Sequence, residues 1–268
     1  FTKEIDSLTS LVSPYLVKYY GSCLHSNKIY IAMEFCIMSL KEAIKLKAQV
    51  FSRQPFSGQP MDCIEYFITC ELLRELLECV NGLHELSVIH RDLKPENILI
   101  THSIQNGRFV KLCDYGFMTV HQSNGQLHTN GLGTPKYMAP EVKARQLYDT
   151  KSDIYSIGIT IEDMFETNIN CKYNKYKSCG WSAKYLKLLD IIRQTTGVKR
   201  NLRPTCAEIL AQYQDWSIDY RLFTGNLMIF YRLLELKDKE RELRVDDRNS
   251  EPEFWEFVFS FFIVQTTK

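Results

Sequence analysis

A short polar segment in the first half of the chain brings together three side chains that can do chemistry. Asp92, Lys94 and Asn97 lie within six residues of one another. Phosphoryl transfer requires a carboxylate near the attacking hydroxyl, a cation on the transferred phosphoryl group and oxygen ligands for Mg²⁺. These three residue types at this spacing supply each of those parts, so the segment predicts a phosphoryl-transfer site.

The eight residues from His90 to Asn97 resemble the catalytic loop of protein kinases. Further elements follow in the order and at the spacing of that family, whereas any one of them alone occurs by chance. The resemblance covers roughly residues 1–213 and implies a kinase-like α+β fold with two lobes. The alternative is a helical domain in which Asp92 and Asp114 are surface turn residues. The further elements are Asp114-Tyr115-Gly116, with Tyr in place of the family's Phe, Gly133-Thr134, Ala139-Pro140-Glu141, Asp153 and Arg203-Pro204-Thr205.

The resemblance implies a chemical role for four residues. Asp92 would orient a Ser or Thr hydroxyl and accept its proton, and Lys94 would stabilise charge on the γ-phosphoryl group of ATP. Asn97 and Asp114 would hold Mg²⁺ on the nucleotide. The substrates implied are proteins with Ser or Thr acceptors, and most of the rate would come from positioning and electrostatics.

The same resemblance implies where the nucleotide lies. Met33, Glu34 and Cys36 match the gatekeeper and hinge, whose backbone would hydrogen-bond adenine, and Leu99 would lie under the adenine ring. Glu4 matches the glutamate of the family's helix C, which pairs with a lysine of the third strand. The alternative for Glu4 is an ordinary exposed helix glutamate.

Structural and regulatory residues follow from the same register. Asp153 would brace the catalytic loop, and Arg203 would pair with Glu141. Arg91 precedes the catalytic aspartate, and in kinases of that type a phosphate on the activation segment pairs with this arginine. Thr129 is the acceptor that we expect for such a phosphate, and the alternative is constitutive activity with an unmodified loop.

Specificity for Ser and Thr rather than Tyr is implied by two positions. Lys94 lies two residues after the predicted base, and Thr134 precedes the end of the activation segment, whereas tyrosine kinases carry Ala or Arg in that stretch of the catalytic loop. Glu96 and Asp163 match positions that accept basic residues upstream of the target hydroxyl in some family members. A basic-substrate preference is therefore a further possibility to test.

Apolar spacing and turn residues predict a few strands followed mostly by helices. Helix is predicted for residues 1–12, with an end at Pro14, and again from Asp62, where Glu65 completes a capping-box pattern, from Thr205 with Glu208, from Trp216, and after Ser250. The other predicted elements are strands at Leu16–Tyr20, Lys28–Met33, Ile98–Ile100 and Val110–Leu112, helices at Ser39–Ala48 and Lys151–Phe165, and an exposed polar loop at Phe51–Pro60.

Composition limits the classes of protein that the chain can belong to. A hydrophobic fraction of 45% and a charged fraction of 24% are typical of a globular protein, and a net charge of +1 offers no general attraction to nucleic acid. The nine cysteines form no CxxC pair, which indicates reduced thiols in an intracellular, cytoplasmic protein. No apolar run approaches the ~20 residues of a membrane span.

The glycine-rich loop and the third-strand lysine of the family are not found in this sequence. We therefore expect a residual N-lobe at 1–33, the hinge and C-lobe at 34–214 and a helical extension at 215–268. In its complete form the protein would be a Ser/Thr kinase, while the chain as given would be inactive. The alternative from another class is a pseudokinase-type interaction module that acts without catalysis.

Overall fold

The computed structural model describes residues 13–26, 28–54, 57–105, 108–114, 119–120, 134–147, 149–167, 176–177, 179–223, 231–236 and 238–239, with backbone alone at 102–105, 119–120 and 220. These residues form a strand-rich part followed by a helical part, which is an α+β architecture. The helices predicted at 1–12 and after Ser250 lie outside the described residues, as do Glu4 and Thr129.

The strand-rich part begins with an antiparallel hairpin of β1 (Tyr19–His25) and β2 (Lys28–Met33). The predicted bounds of β2 are confirmed, but the first strand begins at Tyr19 rather than Leu16. Leu16 makes an isolated parallel bridge to Leu112, and it is buried. The segment before β1 therefore packs on the helical part instead of extending the hairpin.

The apolar residues that alternate along β2 are not covered in the C-terminal half of the strand. Ile31 is 43% exposed and Met33 is 44% exposed. Among the described residues this sheet has only two strands, and two strands alone cover neither face. The alternation of apolar residues identifies the apolar face of a strand, but that face is buried only where another element packs on it.

A second sheet joins the two parts. It contains β3 (Cys36–Ser39), β5 (Ile98–Gln105) and β6 (Arg108–Leu112) in the order β3-β5-β6, all antiparallel. The strands predicted at 98–100 and 110–112 are confirmed and are longer than predicted. A short pair, β4 (Val88–Ile89) with β7 (Thr119–Val120), flanks the loop that carries Asp92.

Helix starts follow the capping signals. The predicted helix after Ser39 is α1 (Leu40–Val50), and Ser39 forms a capping box with Glu42. The next helix is α2 (Cys63–Glu85), whose N-cap Asp62 accepts a hydrogen bond from the Glu65 backbone. The Glu65 carboxylate bonds Arg53 instead of returning to Asp62, so the reciprocal half of the predicted capping box is replaced by an ion pair.

The loop before α2 also differs from its prediction. Gly58 and its neighbours are exposed as expected, but Phe51 is buried and Arg53 enters the interior. The Arg53 guanidinium is held between the carboxylates of Glu65 and Glu166. A buried cation is tolerated where opposite charges surround it, so this arginine fixes the loop on the helical part.

The remaining helices build the rest of the helical part. The helix predicted at 151–165 is observed one residue shorter, and Thr205 and Glu208 form the predicted capping box. The prediction that a helix begins at Trp216 is wrong, because Trp216 is the last residue of a helix and Ser217 is extended. These helices are α3 (Pro140–Lys143), α4 (Lys151–Met164), α5 (Ser182–Thr195), α6 (Cys206–Ala211) and α7 (Tyr213–Trp216), and residues 231–236 are also helical.

Helix α2 is the centre of the core. A stripe of Leu73, Leu76, Val80 and Leu83 runs along it and is fully buried, as is most of the helix. Glu75 also faces inward, where one carboxylate oxygen accepts the backbone N–H groups of Phe109 at 2.8 Å and Val110 at 2.9 Å. Burial raises the pKa of Glu75 from 4.5 to about 7, and α2 thereby fixes the strand that leads to Asp114.

No helix in the described ranges combines the length and the apolar character that crossing a membrane would require.

Candidate active site

Asp153, in the first turn of α4, anchors the loop formed by residues 90–97. Its buried carboxylate accepts the backbone N–H of His90 at 2.9 Å and that of Arg91 at 3.0 Å, and it lies 3.0 Å from Nε2 of His84. Arg91 has a φ of 72°, in the left-handed region that a non-glycine residue rarely adopts. The two hydrogen bonds to Asp153 hold the loop in this conformation.

The charge of Asp153 is stabilised in spite of its burial. Burial alone would raise its pKa, but the hydrogen bond from His84 and the N–H of His90 outweigh that effect, and the net pKa lies below the usual range. An ionised carboxylate accepts hydrogen bonds more strongly than a neutral one, so the anchor is strongest in this state.

His90 links the same loop to the residue before Asp114. Its Nε2 lies 3.0 Å from the carbonyl oxygen of Cys113, and because a carbonyl can only accept, Nε2 carries the hydrogen. Burial lowers the pKa of His90, and its Nδ1 has no hydrogen-bond partner in the part of the chain that the structure describes. The ring is therefore neutral and acts as a structural bridge.

The Asp92 carboxylate is the centre of a polar cluster. It contacts Nζ of Lys94 at 2.6 Å, Nδ2 of Asn97 at 2.8 Å and the backbone N–H of Thr134 at 3.0 Å. Nζ of Lys94 also donates to Oγ1 of Thr134 at 2.8 Å. A carboxylate, an ammonium group and a threonine from a distant segment therefore lie within direct contact of one another.

Asp114 joins this cluster through Asn97. Nδ2 of Asn97 lies 3.4 Å from Oδ2 of Asp114, and the backbone N–H of Cys113 donates to the Asn97 carbonyl at 3.0 Å. Asp114 has a φ of 67°, a second left-handed residue at this site. Across the described ranges no group of three or more His, Cys, Asp or Glu side chains is placed to hold a metal ion. A Mg²⁺ site built from one carboxylate, one amide and phosphate oxygens needs no such group.

An ion pair between Glu34 and Lys111 fixes the predicted hinge on β6. The Glu34 carboxylate contacts Nζ of Lys111 at 2.5 and 2.6 Å and accepts the backbone N–H of Lys18 at 3.1 Å. The Glu34 N–H donates to the Lys18 carbonyl at 2.7 Å. Lys111 is buried in β6, so this contact connects residue 34 to the helical part.

The other predicted nucleotide residues lie near this hinge. Cys36 in β3 pairs with Thr101 of β5, two residues after Leu99, while Met33 ends β2 and is partly exposed. Burial raises the pKa of Cys36 to about 11 and that of Cys113 to about 12. Both thiols are therefore protonated and weakly nucleophilic at neutral pH.

Glu141 and Arg203 form a buried bidentate pair. The guanidinium donates to the two carboxylate oxygens at 2.6 and 2.8 Å, and to the carbonyls of Lys151 at 2.9 Å and Gly197 at 2.8 Å. This geometry matches the planar fork of arginine and ties α3 to α4 and to the segment before α6.

Two residues that sequence reasoning missed contribute to the site. Lys111 stands between apolar residues in a strand, a pattern that indicates a buried partner, although it does not say which one. His84 lies in the last turn of α2 and meets Asp153, and nothing in its local sequence distinguishes it from an ordinary helix residue.

Comparison with known proteins identifies the family. The family model for the protein kinase domain matches residues 1–222. The chain belongs to the protein kinase family. This family uses ATP and Mg²⁺ generally, and its bilobal fold accounts for a small strand-rich part joined to a larger helical one.

Individual kinases are also similar to part of this chain. Serine/threonine-protein kinase cst-1 of Caenorhabditis elegans is 35% identical over 165 residues, which are 61% of this chain and 30% of that protein. Serine/threonine-protein kinase 10 of Homo sapiens is 34% identical over 166 residues, 60% of this chain and 16% of that protein. Serine/threonine-protein kinase dst2 of Dictyostelium discoideum is 36% identical over 167 residues, 61% of this chain and 13% of that protein. The match to this kinase chain thus spans less than a third of each relative.

Proposed function

We propose that this chain carries the catalytic machinery of a protein serine/threonine kinase. The observation that carries the proposal is the polar cluster in which Asp92 contacts Lys94, Asn97 and Thr134, with Asp114 beside Asn97. The similar kinases are each named as a serine/threonine-protein kinase, which supports the same reaction. A helical domain with an accidental motif gives no reason for five polar residues from three segments to meet.

Each residue of the cluster has a task in this reaction. Asp92 orients the acceptor hydroxyl and takes its proton, while Lys94 places a positive charge where the transferred phosphoryl group passes. Asn97 and Asp114 would hold Mg²⁺, with an amide oxygen and a carboxylate oxygen as the ligand atoms. Both side chains fit that role because Nδ2 of Asn97 is engaged by Asp92, which leaves its amide oxygen without a partner among the described residues. When bound, Mg²⁺ neutralises charge on the phosphates.

The contact between Lys94 and Thr134 supports a preference for Ser and Thr acceptors. The ammonium group bridges Asp92 and the Thr134 hydroxyl, at 2.6 and 2.8 Å, and so narrows the space beside the base. The hydroxyl of Ser or Thr reaches Asp92 on a short side chain. A tyrosine hydroxyl would have to bring its aromatic ring into the narrowed space. We assign the adenine contacts to the backbone of Met33, Glu34 and Cys36, and we assign Leu99 a place below the adenine ring. Glu4 lies outside the described residues.

Regulation and location are part of the proposal. Arg91 is placed next to Asp92, where a phosphate on Thr129 of the activation segment would find a cation. The eight cysteines among the described residues are free thiols, which supports a protein that works in the reducing interior of a cell. Protein substrates are the partners that this reaction requires.

Phosphoryl transfer by the natural full-length protein tests the proposal. Purified protein with Mg-ATP is offered two peptides that differ only in Ser or Tyr as the acceptor, and phosphate incorporation is followed. Transfer to the Ser peptide is expected, and Asp114→Asn is expected to raise the Mg²⁺ concentration needed for half-maximal rate. The absence of Mg-ATP-dependent transfer to any peptide would support an interaction module instead.

A further inference from the structure

Two carboxylates lie beside the proposed catalytic cluster, at positions that the kinase register assigns to substrate residues before the acceptor. Glu96 is four residues after Asp92, in the short 3₁₀ turn Pro95–Asn97. Asp163 is in the last turn of α4, and it is reached from the segment that follows Thr134. Carboxylates at these two positions are available in principle to bind arginine or lysine residues of a substrate.

Both carboxylates already have a cation from the chain itself. Nζ of Lys136 contacts the two oxygens of Asp163 at 2.6 Å each, and the Tyr137 hydroxyl donates to the same carboxylate at 2.7 Å. Nζ of Lys41, in the first turns of α1, contacts Oε1 of Glu96 at 2.9 Å. Lys94 contacts Asp92 in the same way, so the carboxylates of Asp92, Glu96 and Asp163 each contact one lysine.

The Tyr137 phenol lies against Asp163 and within the electrostatic influence of Glu96. Tyr137 is buried, and its pKa is raised by burial first and then by the hydrogen bond and charge of Asp163 and the charge of Glu96. The negative charges of both carboxylates therefore act on the Tyr137 hydroxyl. Lys136 lies two residues after Thr134, whose hydroxyl and backbone contact Lys94 and Asp92.

The exposure of the pairs decides how they act. The lysine side chains are 67% exposed at Lys41 and 56% exposed at Lys136, whereas Asp163 is 12% exposed. At Asp163 a substrate cation would therefore meet the Lys136 ammonium group first and have to displace it. The Glu96 side chain is 39% exposed, so there a substrate cation would compete with Lys41 for the carboxylate. Because an exposed ion pair changes an equilibrium by no more than about fivefold, each lysine acts as a filter rather than an absolute block.

We propose that Lys41 and Lys136 occupy Glu96 and Asp163 in place of basic substrate residues, so that the site selects peptides whose residues before the acceptor are neutral or acidic. This inference rests on the proposed kinase activity and defines its substrate class. It replaces the basic preference that the two carboxylates alone would predict. Like charges placed opposite one another disfavour a partner, which is how the lysines would discriminate.

Two peptides and five proteins test this proposal. One Ser peptide carries Arg at the second and third positions before the serine, and the other carries Ala there. The full-length wild type is compared with Lys41→Met, Lys136→Met and the double variant. The control is Lys45→Met with Lys143→Met, which removes two other exposed lysines, one from α1 and one from α3. The ratio of kcat/KM for the Arg peptide to that for the Ala peptide is measured for each protein.

The wild type and the control are expected to give a ratio near one, and the double variant a ratio about tenfold higher. A wild type that already prefers the Arg peptide tenfold, or a double variant with the wild-type ratio, would overturn the inference. Peptide affinity measured by fluorescence anisotropy without nucleotide gives the same ratio independently of catalysis. If no peptide is phosphorylated, the proposed activity fails, and the affinity ratio still decides the role of the lysines.

Discussion

The loop of residues 90–97 and the β1–β2 hairpin differ in how the rest of the molecule holds them. The loop is surrounded by buried groups: Asp153 accepts two of its backbone N–H groups, and His90 bridges to the Cys113 carbonyl. The hairpin exposes Tyr20, Leu24 and Tyr30, and its end is joined to β6 through the ion pair of Glu34 and Lys111.

The difference shows that the two halves of the proposed reaction are supported separately. The residues that we assign to phosphoryl transfer are fixed by the helical part and by the second sheet. The residues that we assign to adenine are fixed at the boundary, by one buried charge pair and a few backbone hydrogen bonds. Changes in the helical core should therefore affect the whole molecule, while changes in the hairpin should stay local.

The largest effect is expected from Asp153→Ala. The substitution leaves the N–H groups of His90 and Arg91 buried without an acceptor and releases a loop that is held at positive φ. We expect the free energy of unfolding to fall by ~3–5 kcal/mol, measured by urea denaturation followed by circular dichroism. Asp215→Ala, which removes an exposed carboxylate, is the control, and an equal effect of both substitutions would contradict the anchoring role.

The same substitution in the two regions tests the comparison directly. Leu76 in α2 is 0% exposed, whereas Leu24 in β1 is 71% exposed. Leu76→Ala is expected to lower the free energy of unfolding by ~2–5 kcal/mol through lost burial and a cavity. Leu24→Ala is expected to change it by less than about 0.5 kcal/mol. Similar losses for both variants would show that the hairpin is part of the same cooperative core.

Glu75 makes the stability of the helical part depend on pH. Its pKa is raised from 4.5 to about 7 by burial, so the native state binds the proton more tightly than the unfolded chain does. Stability from this group is complete below pH 4.5 and is lost as pH rises through about 7, a change of about 3 kcal/mol. Glu75→Gln, which keeps an acceptor for Phe109 and Val110, should flatten the profile between pH 5 and 8. An unchanged slope would show that Glu75 is not the group responsible.

A smaller effect is expected at the boundary between the two regions. Lys111→Met leaves the Glu34 carboxylate without its ammonium partner, and Glu34→Gln in the same protein removes the unpaired charge. A double-mutant cycle on the affinity for adenosine should give a coupling of about 1–2 kcal/mol. Additive effects of the two substitutions would show that the ion pair does not position the hinge.

Sequence predicts best the features whose partners are close along the chain. The 90–97 loop is continuous, and the capped helix starts at Ser39 and Thr205 are decided by residues three positions away. These were predictable because the sequence contains both members of each contact within one turn.

Features decided by distant partners were not predictable in the same way. Lys111 and Glu34 are 77 residues apart, and Arg53 reaches Glu166 from 113 residues away. The pattern of a strand or loop reveals a charge that requires a partner, but only the folded arrangement says which one. The exposed face of β2 is a similar example, because its pattern identifies an apolar face but does not say what packs on that face.

The central claim is that Asp92, held by the helical part, takes the proton from the acceptor hydroxyl. Asp92→Asn in the natural full-length protein keeps the size of the side chain and removes its basicity. The measurement is turnover on a Ser peptide beside the affinity for Mg-ATP, in the same preparation. We expect turnover to fall by ~10²–10⁴-fold, while Mg-ATP affinity changes by less than about threefold. Turnover near that of the wild type would contradict the account.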